Sequence, residues 1–544
     1  MPTLDWIGKK AVVNHHQHVP FHLLKERDDL SVIEPDCRNI IIHGDNLLAL
    51  KALLPYYAKS IQLVYIDPPY NTGEEKWMYN DNVSSPEMKE WLGKIVGKEA
   101  DDLSRHDKWL CMMYPRLKLL QQLLNRKGII AVSIDDNELT NLGIMMDEIF
   151  GAEKRLACIP WLAEPSGGKQ KTALRKGHEY LVVYHNGDDS ILTREEKSVG
   201  ALDKKDKFGK YRKGRELLKW GDHSLREDRE FMWFPLRAPD GTEVYPVRND
   251  GRQGRWRLGS KNPLIVNLLA DHEYAHWEKR PYDDGVVVDG KTERWVPYEK
   301  IRDPKKSFGW DTWLDSHGYN ADATRELKEI FGEKPFNTPK PTQLLKWVIS
   351  LVDDEDALIL DSFAGSGTTA HAVLQLNKEG GNRRFIAVEM KEDIIMNVTV
   401  PRIQKVISGY GSTEGTGGGF HFCELSDPLY DERGNINKTV NFGELAKHVY
   451  FTETGEPLPG SKPKDGALLG IYNGTAIYLL YNGILKDRSP DGGNVLTRAI
   501  LSMLPHHDGP KVIYGTACKI GSDQRQSENL TFKQLPYKIR TGGF

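Results

Sequence analysis

Cysteine is scarce and scattered. Cys37, Cys111, Cys158, Cys423 and Cys518 stand singly in 544 residues with no paired spacing, which argues against both a disulfide framework and a zinc site. Long apolar runs are missing as well. No stretch of about 18 uncharged apolar residues occurs, so no membrane span is expected. The opening segment MPTLDWIGKKAVVNHHQHVP has no apolar core of signal-peptide type, and the expectation is a cytoplasmic protein. An excess of positive charge is also absent: 74 Lys and Arg face 77 Asp and Glu, a net charge of -3. A nucleic-acid partner would therefore have to be held by a local basic patch, because phosphate attraction is screened over roughly 10 Å at physiological salt.

What remains is the composition of an ordinary globular protein, 39% hydrophobic and 28% charged. The chain is too long for one core, and two to four domains of about 150 residues are expected. Residues 40–136 alternate between strand and helix patterns. Ile40-Ile41-Ile42-His43 and Ile61-Gln62-Leu63-Val64-Tyr65-Ile66 are short apolar strands, separated by a helical run from Asn46 to Leu54. Trp109 to Leu124 is helical, and Gly128 to Ile134 is a third strand. From about Gly151 to Lys334 the period is lost in a stretch rich in Trp, Tyr, Arg, Lys and Gly. It then returns, with a helix from Thr342, a strand over Ala357–Leu360, a helix from Thr368 and a strand over Arg384–Val388. This pattern predicts one α/β domain with a parallel sheet, built from two halves with a second domain inserted between them. The expected divisions are 1–155, 156–334 for the insert, 335–410, and 411–544 for an accessory domain. GYGSTEGTGGG, after Gly409, reads as a linker. Asn473-Gly474 and Asn482-Gly483, each between alternating apolar residues, read as hairpin turns.

Two loops follow predicted strands, where open parallel sheets bind ligands. The first is Asp361-Ser362-Phe363-Ala364-Gly365-Ser366-Gly367-Thr368-Thr369. Its glycines allow close backbone approach, and the helix behind it offers free N–H groups. Glu389 ends the next strand, about 20 residues on, where a carboxylate accepts hydrogen bonds from ribose hydroxyls. The spacing Gly-x-Gly-x-x-Ala would serve a nicotinamide dinucleotide equally well. The second loop is Asp67-Pro68-Pro69-Tyr70. An aromatic amine is a poor nucleophile because its lone pair is delocalised. A carboxylate and a backbone carbonyl that each accept one of its N–H bonds favour the tetrahedral geometry that frees the pair. Two prolines hold the chain extended and aim Asp67 and the Pro68 carbonyl at one point, and Tyr70 offers a flat face for a base. The same geometry suits adenine N6 and cytosine N4.

With these residues the chain resembles β-class amino-methyltransferases, in which the catalytic tetrapeptide precedes the target-recognition domain and the cofactor loop follows it. It is most similar to the modification subunits of type III restriction–modification systems. The likeness is carried by GDNLLAL (44–50), YIDPPYNTG (65–73), VSIDDNE (132–138), HEYLVVY (178–184), FNTPKPTQLL (336–345) and DSFAGSGTT (361–369). The resemblance implies a circularly permuted, doubly wound, mostly parallel Rossmann-like sheet, with an inserted target-recognition domain and a C-terminal α+β domain. It implies S-adenosyl-L-methionine as methyl donor and double-stranded DNA as substrate, with the target adenine flipped out and methylated at N6. Asp67, Pro68, Pro69 and Tyr70 would be catalytic. Phe363, Gly365 and Gly367 would wrap the methionine part of the donor, with Asp361 in the same loop. Thr368 and Thr369 would lie near its carboxylate, Glu389 at its ribose and Asp45 at its adenine amine. Lys340, Pro341 and Thr342 match the segment that closes over the methionine end, and His178 and Glu179 match a stretch lining the base pocket. Asp in the first place of the tetrapeptide points to adenine. A second copy of the chain or a helicase–nuclease subunit is the implied partner. The rivals are a cytosine-N4 enzyme and a specificity subunit that only binds DNA.

The insert carries the basic patch sought above: Lys204, Lys205, Lys207, Lys210, Arg212, Lys213, Arg215 and Lys219, then Arg252, Arg255 and Arg257, interleaved with Tyr211, Trp220 and Trp256. Such a mixture suits phosphates and base edges. Two other clusters read as plain. His15, His16, His18 and His22 lack metal-ligand spacing and are expected in a polar surface segment. Asp135, Asp136 and Glu138 precede a helix and are expected to cap it. No metal is expected.

Overall fold

A computed structural model describes residues 3–72, 104–167, 173–187, 192–198, 200–352, 354–431, 434–460, 466–481, 489 and 492–535. Gly73 and the Asn482-Gly483 turn lie outside these. The chain forms two compact units, Met1–Thr193 with Asp311–Phe544, and Arg194–Trp310.

The first unit is built on a nine-stranded sheet. In chain order its strands are β1 (His22–Glu26), β2 (Ile40–His43), β3 (Ile61–Ile66), β4 (Leu124–Ile134), β5 (Arg155–Leu162), β6 (His178–His185), β7 (Leu358–Asp361), β8 (Arg384–Glu389) and β9 (His421–Pro428). Their spatial order is β1-β9-β2-β8-β7-β3-β4-β6-β5. The six strands from β9 to β4 run parallel, and β1, β6 and β5 run antiparallel to their neighbours. The parallel strands are short, near-continuous apolar runs because helices cover the sheet on both faces; Ile41, Ile42, Val64, Ile66, Ile359 and Leu360 are fully buried. The helices that matter here are α1 (Asn46–Tyr57), α2 (Arg105–Leu123), α3 (Leu139–Phe150), α4 (Asn320–Phe331), α5 (Thr342–Ser350), α6 (Thr368–Glu379), α7 (Val400–Ser408) and α8 (Phe442–Thr454). A capping box of Ser104 and Asp107 starts α2.

From β3 the chain moves to β4 on one side, and from β7 it moves to β8 on the other. β3 and β7 are neighbours, with Leu63 opposite Ile359 and Val64 opposite Leu360. The strand order thus reverses between the two strands that carry the Asp67 and Asp361 loops. This is where such sheets hold ligands.

Several boundaries differ from the sequence expectation. The compact insert is 194–310, narrower than 156–334, because β5 and β6 extend the main sheet as an antiparallel edge. GYGSTEGTGGG is not a slack linker. Gly409–Tyr410 pairs with Thr413–Glu414, and β9 just beyond slots between β1 and β2. The glycines there serve close packing: a Cβ on Gly419 would collide with the Val32 carbonyl, and one on Gly415 with that of Ile407. The C-terminal part adds a four-stranded sheet in the order Leu468–Tyr472, Thr475–Leu479, Lys511–Gly515, Leu530–Gln534. Its first two strands form the expected hairpin, with Asn473 (φ 46°) and Gly474 (φ 77°) both left-handed as a type I′ turn requires.

The second unit has a four-stranded antiparallel sheet around a small core that includes Leu217, Leu236, Trp256 and Leu268. Its hairpin loop Gly285-Val286-Val287-Val288-Asp289-Gly290-Lys291-Thr292 has the spacing of a phosphate-cradling loop. A strand, Glu293–Ile301, follows it rather than a helix. The helix N-terminus that such a loop needs is therefore missing at this position.

Candidate active site

Asp67 leaves the end of β3 with its carboxylate clasped by Lys340, whose Nζ lies 3.0 and 2.8 Å from the two oxygens. The same ammonium is 3.4 Å from Glu179 on β6 and 4.9 Å above the Tyr70 ring. Tyr70 donates its hydroxyl to Glu179 at 2.9 Å. Burial disfavours the charge on Lys340, but Asp67 and Glu179 outweigh it and hold its pKa above the ordinary value. Burial, Asp67 and Glu179 push the Tyr70 phenol well up, so it remains a donor. Three sequence-distant segments, 67–70, 179 and 340, therefore form one charged cluster, whereas His178 is exposed and meets Tyr180 instead.

The tetrapeptide is braced from behind. The indole of Trp109 on α2 donates to the Pro69 carbonyl at 2.6 Å. Asn71 takes a left-handed conformation (φ 57°), fully buried, and donates to Glu138 and to the Arg105 carbonyl. Glu138, also fully buried, further accepts from Asn141 at 2.7 Å and meets His106 at 2.7 Å. The expected capping role of Glu138 is corrected here: its side chain caps no helix and instead anchors the Asp67 loop through Asn71. Asp135 serves the turn, accepting from the Asn137 backbone at 2.9 Å. Asp136 holds Tyr180 and Lys176.

The second loop is equally built. Asp361 accepts from the Phe363 backbone (3.0 Å) and from the Thr369 hydroxyl (2.5 Å). Glu389 accepts from the backbone of Gly365 and of Lys391, both at 2.9 Å. Burial pushes both carboxyls up to about 7, against the hydrogen bonds that favour their charge. Gly365 and Gly367 are left-handed, at φ 51° and 78°, which explains glycine at both places. Arg402 on α7 is 0% exposed and braces the loop from beneath. It donates to the Ser366 carbonyl (3.2 Å), the Ser366 hydroxyl (3.0 Å) and the Thr368 hydroxyl (2.9 Å). Its charge is met by Glu326 of α4 at 2.8 Å, and Glu326 also accepts from Thr342 at 2.8 Å. Thr399 adds a bond to the Gly365 carbonyl at 2.7 Å. Arg402, Glu326 and Thr399 were not found from sequence, since an arginine in an amphipathic helix reads as surface.

Between the two loops lies a cleft of about 310 Å³, walled among others by Tyr65, Asp67, Phe336, Lys340, Phe363 and Gly365. Thr368 and Thr369 also line it. Asp45 instead caps α1 through the Leu48 backbone at 3.0 Å and sits 3.5 Å from Arg116. Pro341 precedes α5 as its N-cap residue, and Thr342 is buried against Glu326.

In the insert the basic residues divide. Lys205, Lys207, Lys210, Arg215 and Arg252 are exposed, and Lys204, Arg212, Lys213, Lys219 and Arg257 are half-buried. Lys205 and Lys210 face each other across two strands, a like-charge pair that an anion would relieve. Arg255 is buried, donating to the carbonyls of His223 and Trp256, and holds the fold rather than a surface. Lys213 is paired with Glu278, Arg257 with Glu299, Lys207 with Asp271 and Arg252 with Asp250. Among the described residues no three His, Cys, Asp or Glu side chains converge as a metal site. No helix among them is long and apolar enough to cross a membrane.

A family model described as DNA methylase (N6_N4_Mtase) matches residues 61–399, from β3 through the Gly-rich loop to α7. The Mod subunit of the type III restriction–modification enzyme EcoPI, from Escherichia phage P1, is 30% identical over 505 residues, 83% of this chain and 74% of that one. The type II methyltransferase M.KpnI of Klebsiella pneumoniae is 35% identical over 384 residues, 68% of this chain and 85% of that one. Among solved structures, the cytosine-N4-specific PvuII DNA methyltransferase is 13% identical with a TM-score of 0.33, covering 67% of this chain and 86% of that one, too slight a likeness to bear on the substrate. With the tetrapeptide and the Gly-rich loop meeting at one switch point inside the matched span, the chain belongs to the N6/N4 DNA methylase family and is a DNA methyltransferase with S-adenosylmethionine as its methyl donor.

Proposed function

We propose that the protein methylates the exocyclic N6 of an adenine flipped out of duplex DNA, as the modification subunit of a restriction–modification system. The observation that carries this reading is the shared cleft, in which Asp67 and the Gly365 loop face one another. The donor fits the residues present: Phe363 and Gly365 line a space for its methionine part, and Lys340 offers a cation for its carboxylate. Glu389 lies one hydrogen bond from Gly365, poised for a ribose. When bound, the donor supplies an already activated methyl group, so the protein's task is positioning.

Asp67 and the Pro68 carbonyl accept the two N6–H bonds and turn the lone pair towards the methyl group. Trp109 holds the neighbouring Pro69 carbonyl and so fixes the direction in which Pro68 points. Lys340 holds the Asp67 carboxylate in place through both of its oxygens. Tyr70 receives the flipped base on its ring, which offsets part of the cost of unstacking. Tyr70→Ala should lower methylation about 10- to 100-fold, the worth of one stacked base. Tyr70→Phe should keep most of the activity, since the ring remains; equal losses in both would contradict the stacking role.

A pH dependence follows from Glu389. Its folded pKa is raised, so its contribution to stability is full below the unfolded value of about 4.3 and is lost as pH rises through about 7. The ligand-free protein should therefore melt at lower temperature at about pH 8 than at pH 6. Donor affinity should move the other way, because only the ionised carboxylate accepts from both ribose hydroxyls. Calorimetry on wild type and Glu389→Gln checks both slopes, which the variant should reduce, with Asp361 keeping its own share of the melting slope.

The insert is assigned as the DNA reader, through its exposed Lys205, Lys210 and Arg215. Its partner is a second copy of the chain or a helicase–nuclease subunit. Mass spectrometry of nucleosides from DNA methylated by the purified protein tests the reading. N6-methyladenine is expected; N4-methylcytosine would overturn the base assignment, and no methylated base would overturn the activity.

A further inference from the structure

A second cleft, away from the methyl-transfer site, lies where the N-terminal helical turns meet α1, α2 and α8. It measures about 2540 Å³ out to its open mouth. The histidines expected at the surface are partly corrected here, because His16 is buried in its wall. Four buried polar atoms without a hydrogen-bond partner belong to its lining: both ring nitrogens of His448, Nδ1 of His16 and the hydroxyl of Tyr430. Leaving such groups unmet costs about 1–3 kcal/mol each, so the four together are hydrogen-bonding capacity that an occupant of the cleft would meet.

The charge in this cleft has one sign to spare. Lys51, 5% exposed on α1, donates to the carbonyls of His16 (2.9 Å) and Gln17 (3.3 Å), and no carboxylate pairs with it among the described residues. Lys118 stands near, bonded only weakly to Gln121 at 3.3 Å. The acids on the wall are committed elsewhere: Asp431 holds Asn435 at 2.7 Å, and Glu453 pairs with Lys533 and accepts from Tyr514. Burial lowers Lys51 to about 8, and burial with the nearby lysines lowers His16 to about 4. A buried ammonium without a counter-ion calls for an anion. Flat apolar faces stand beside it. Phe21 lies 4.6 Å under the Lys51 ammonium and edge-on to His448 at 4.5 Å, and Tyr430 is 5.8 Å from His448.

We infer that this cleft is a nucleotide site, with the phosphate held by Lys51 and Lys118 and the base among Phe21, Tyr430 and His448. His448, Tyr430 and His16 supply hydrogen bonds to the base or sugar. The nucleotide is either free or part of a strand, and the chemistry is the same. The far end of α1 touches the methyl-transfer site, where Asn46 donates to the Ser362 carbonyl at 3.2 Å, so an occupant would sit on the same helix as the donor loop's neighbour.

The test uses the full chain saturated with S-adenosylhomocysteine, so that the methyl-transfer cleft is filled. Adenosine monophosphate is titrated by calorimetry, inorganic phosphate is the competitor, and a short DNA strand is the second arm. Wild type should bind, phosphate should compete, and Lys51→Met should weaken binding at least about tenfold. Tyr430→Phe and His448→Phe should also weaken it several-fold while leaving the melting temperature unchanged or raised, because each removes an unmet polar group. These two carry the test if Lys51→Met fails to fold. Loss of strand affinity in the variants, without binding of the free nucleotide, would identify the strand as the source. The inference falls if neither probe binds wild type, or if all three variants bind as wild type does. Methylation by wild type, assayed separately, reports on the methyltransferase itself.

Discussion

Asp67→Ala should abolish methyl transfer to within assay limits, a loss of about 10³-fold or more, while donor binding survives. One preorganised hydrogen-bonding partner in a water-poor site is commonly worth 10²–10³-fold, and a group that also receives a proton more. In the proposed mechanism Asp67 is the hydrogen-bonding partner, and among the described residues no other carboxylate is bonded to Lys340 as closely. Glu179 is the nearest substitute, but it is already bonded to Tyr70 at 2.9 Å. The substitution also strips Lys340 of its main counter-ion, with Lys340 only 8% exposed at its side chain, so Asp67→Asn is the cleaner comparison: it keeps the size and one acceptor. Labelled methyl incorporation into DNA and calorimetric binding of S-adenosylhomocysteine separate the two effects. Activity within tenfold of wild type in both variants would remove Asp67 from the mechanism.

The second large effect concerns a residue that touches no substrate. Arg402→Ala should cost about 3–5 kcal/mol, since breaking a buried pair takes from Glu326 its arginine partner and leaves it the Thr342 hydroxyl. It should also loosen the Gly-rich loop, because Ser366 and Thr368 lose their shared donor. A fall in melting temperature of about 5 °C follows from that energy, because a unit this long has a large unfolding entropy. Donor affinity should fall more than tenfold, whereas Arg402→Lys should recover part of the stability by keeping the charge at Glu326. Arg402 is a positioning residue, so residual turnover at saturating donor should stay close to wild type. Unchanged melting and donor binding in Arg402→Ala would show that the loop holds its shape by its glycines alone.

Much of the fold was legible because parallel strands buried on both faces have no choice of composition. Ile40–Ile42, Ile61–Ile66 and Leu358–Leu360 are apolar for that reason and were read as strands. The edge of the sheet was not legible. β5 contains Arg155, Cys158 and Pro160, and β6 contains His178 and Glu179, because one side of an antiparallel edge meets water and tolerates polar residues. Both were assigned to the insert. β9 was hidden by the Gly-rich turn before it, in which glycine signals tight packing against Val32 and Ile407 rather than slack chain. The basic residues of the insert show the limit from another side. Arg255 and Lys205 look alike in sequence, yet one is buried on backbone carbonyls and the other exposed.

What the sequence determined by itself was the chemistry available: Asp67 with two stiffening prolines and a ring at Tyr70, and a Gly-rich loop followed by a carboxylate at Glu389. Local stereochemistry sets these, since proline fixes φ and only glycine takes φ 78° without strain at position 367. Tertiary structure alone decided that these loops share a cleft, that Lys340 and Glu179 close around Asp67, and that Glu138 and Arg402 hold the loops from behind. Those partners come from up to 273 residues away. Their pairing depends on which strands become neighbours and how far each charge is withdrawn from water, and neither is written in any local stretch of the chain.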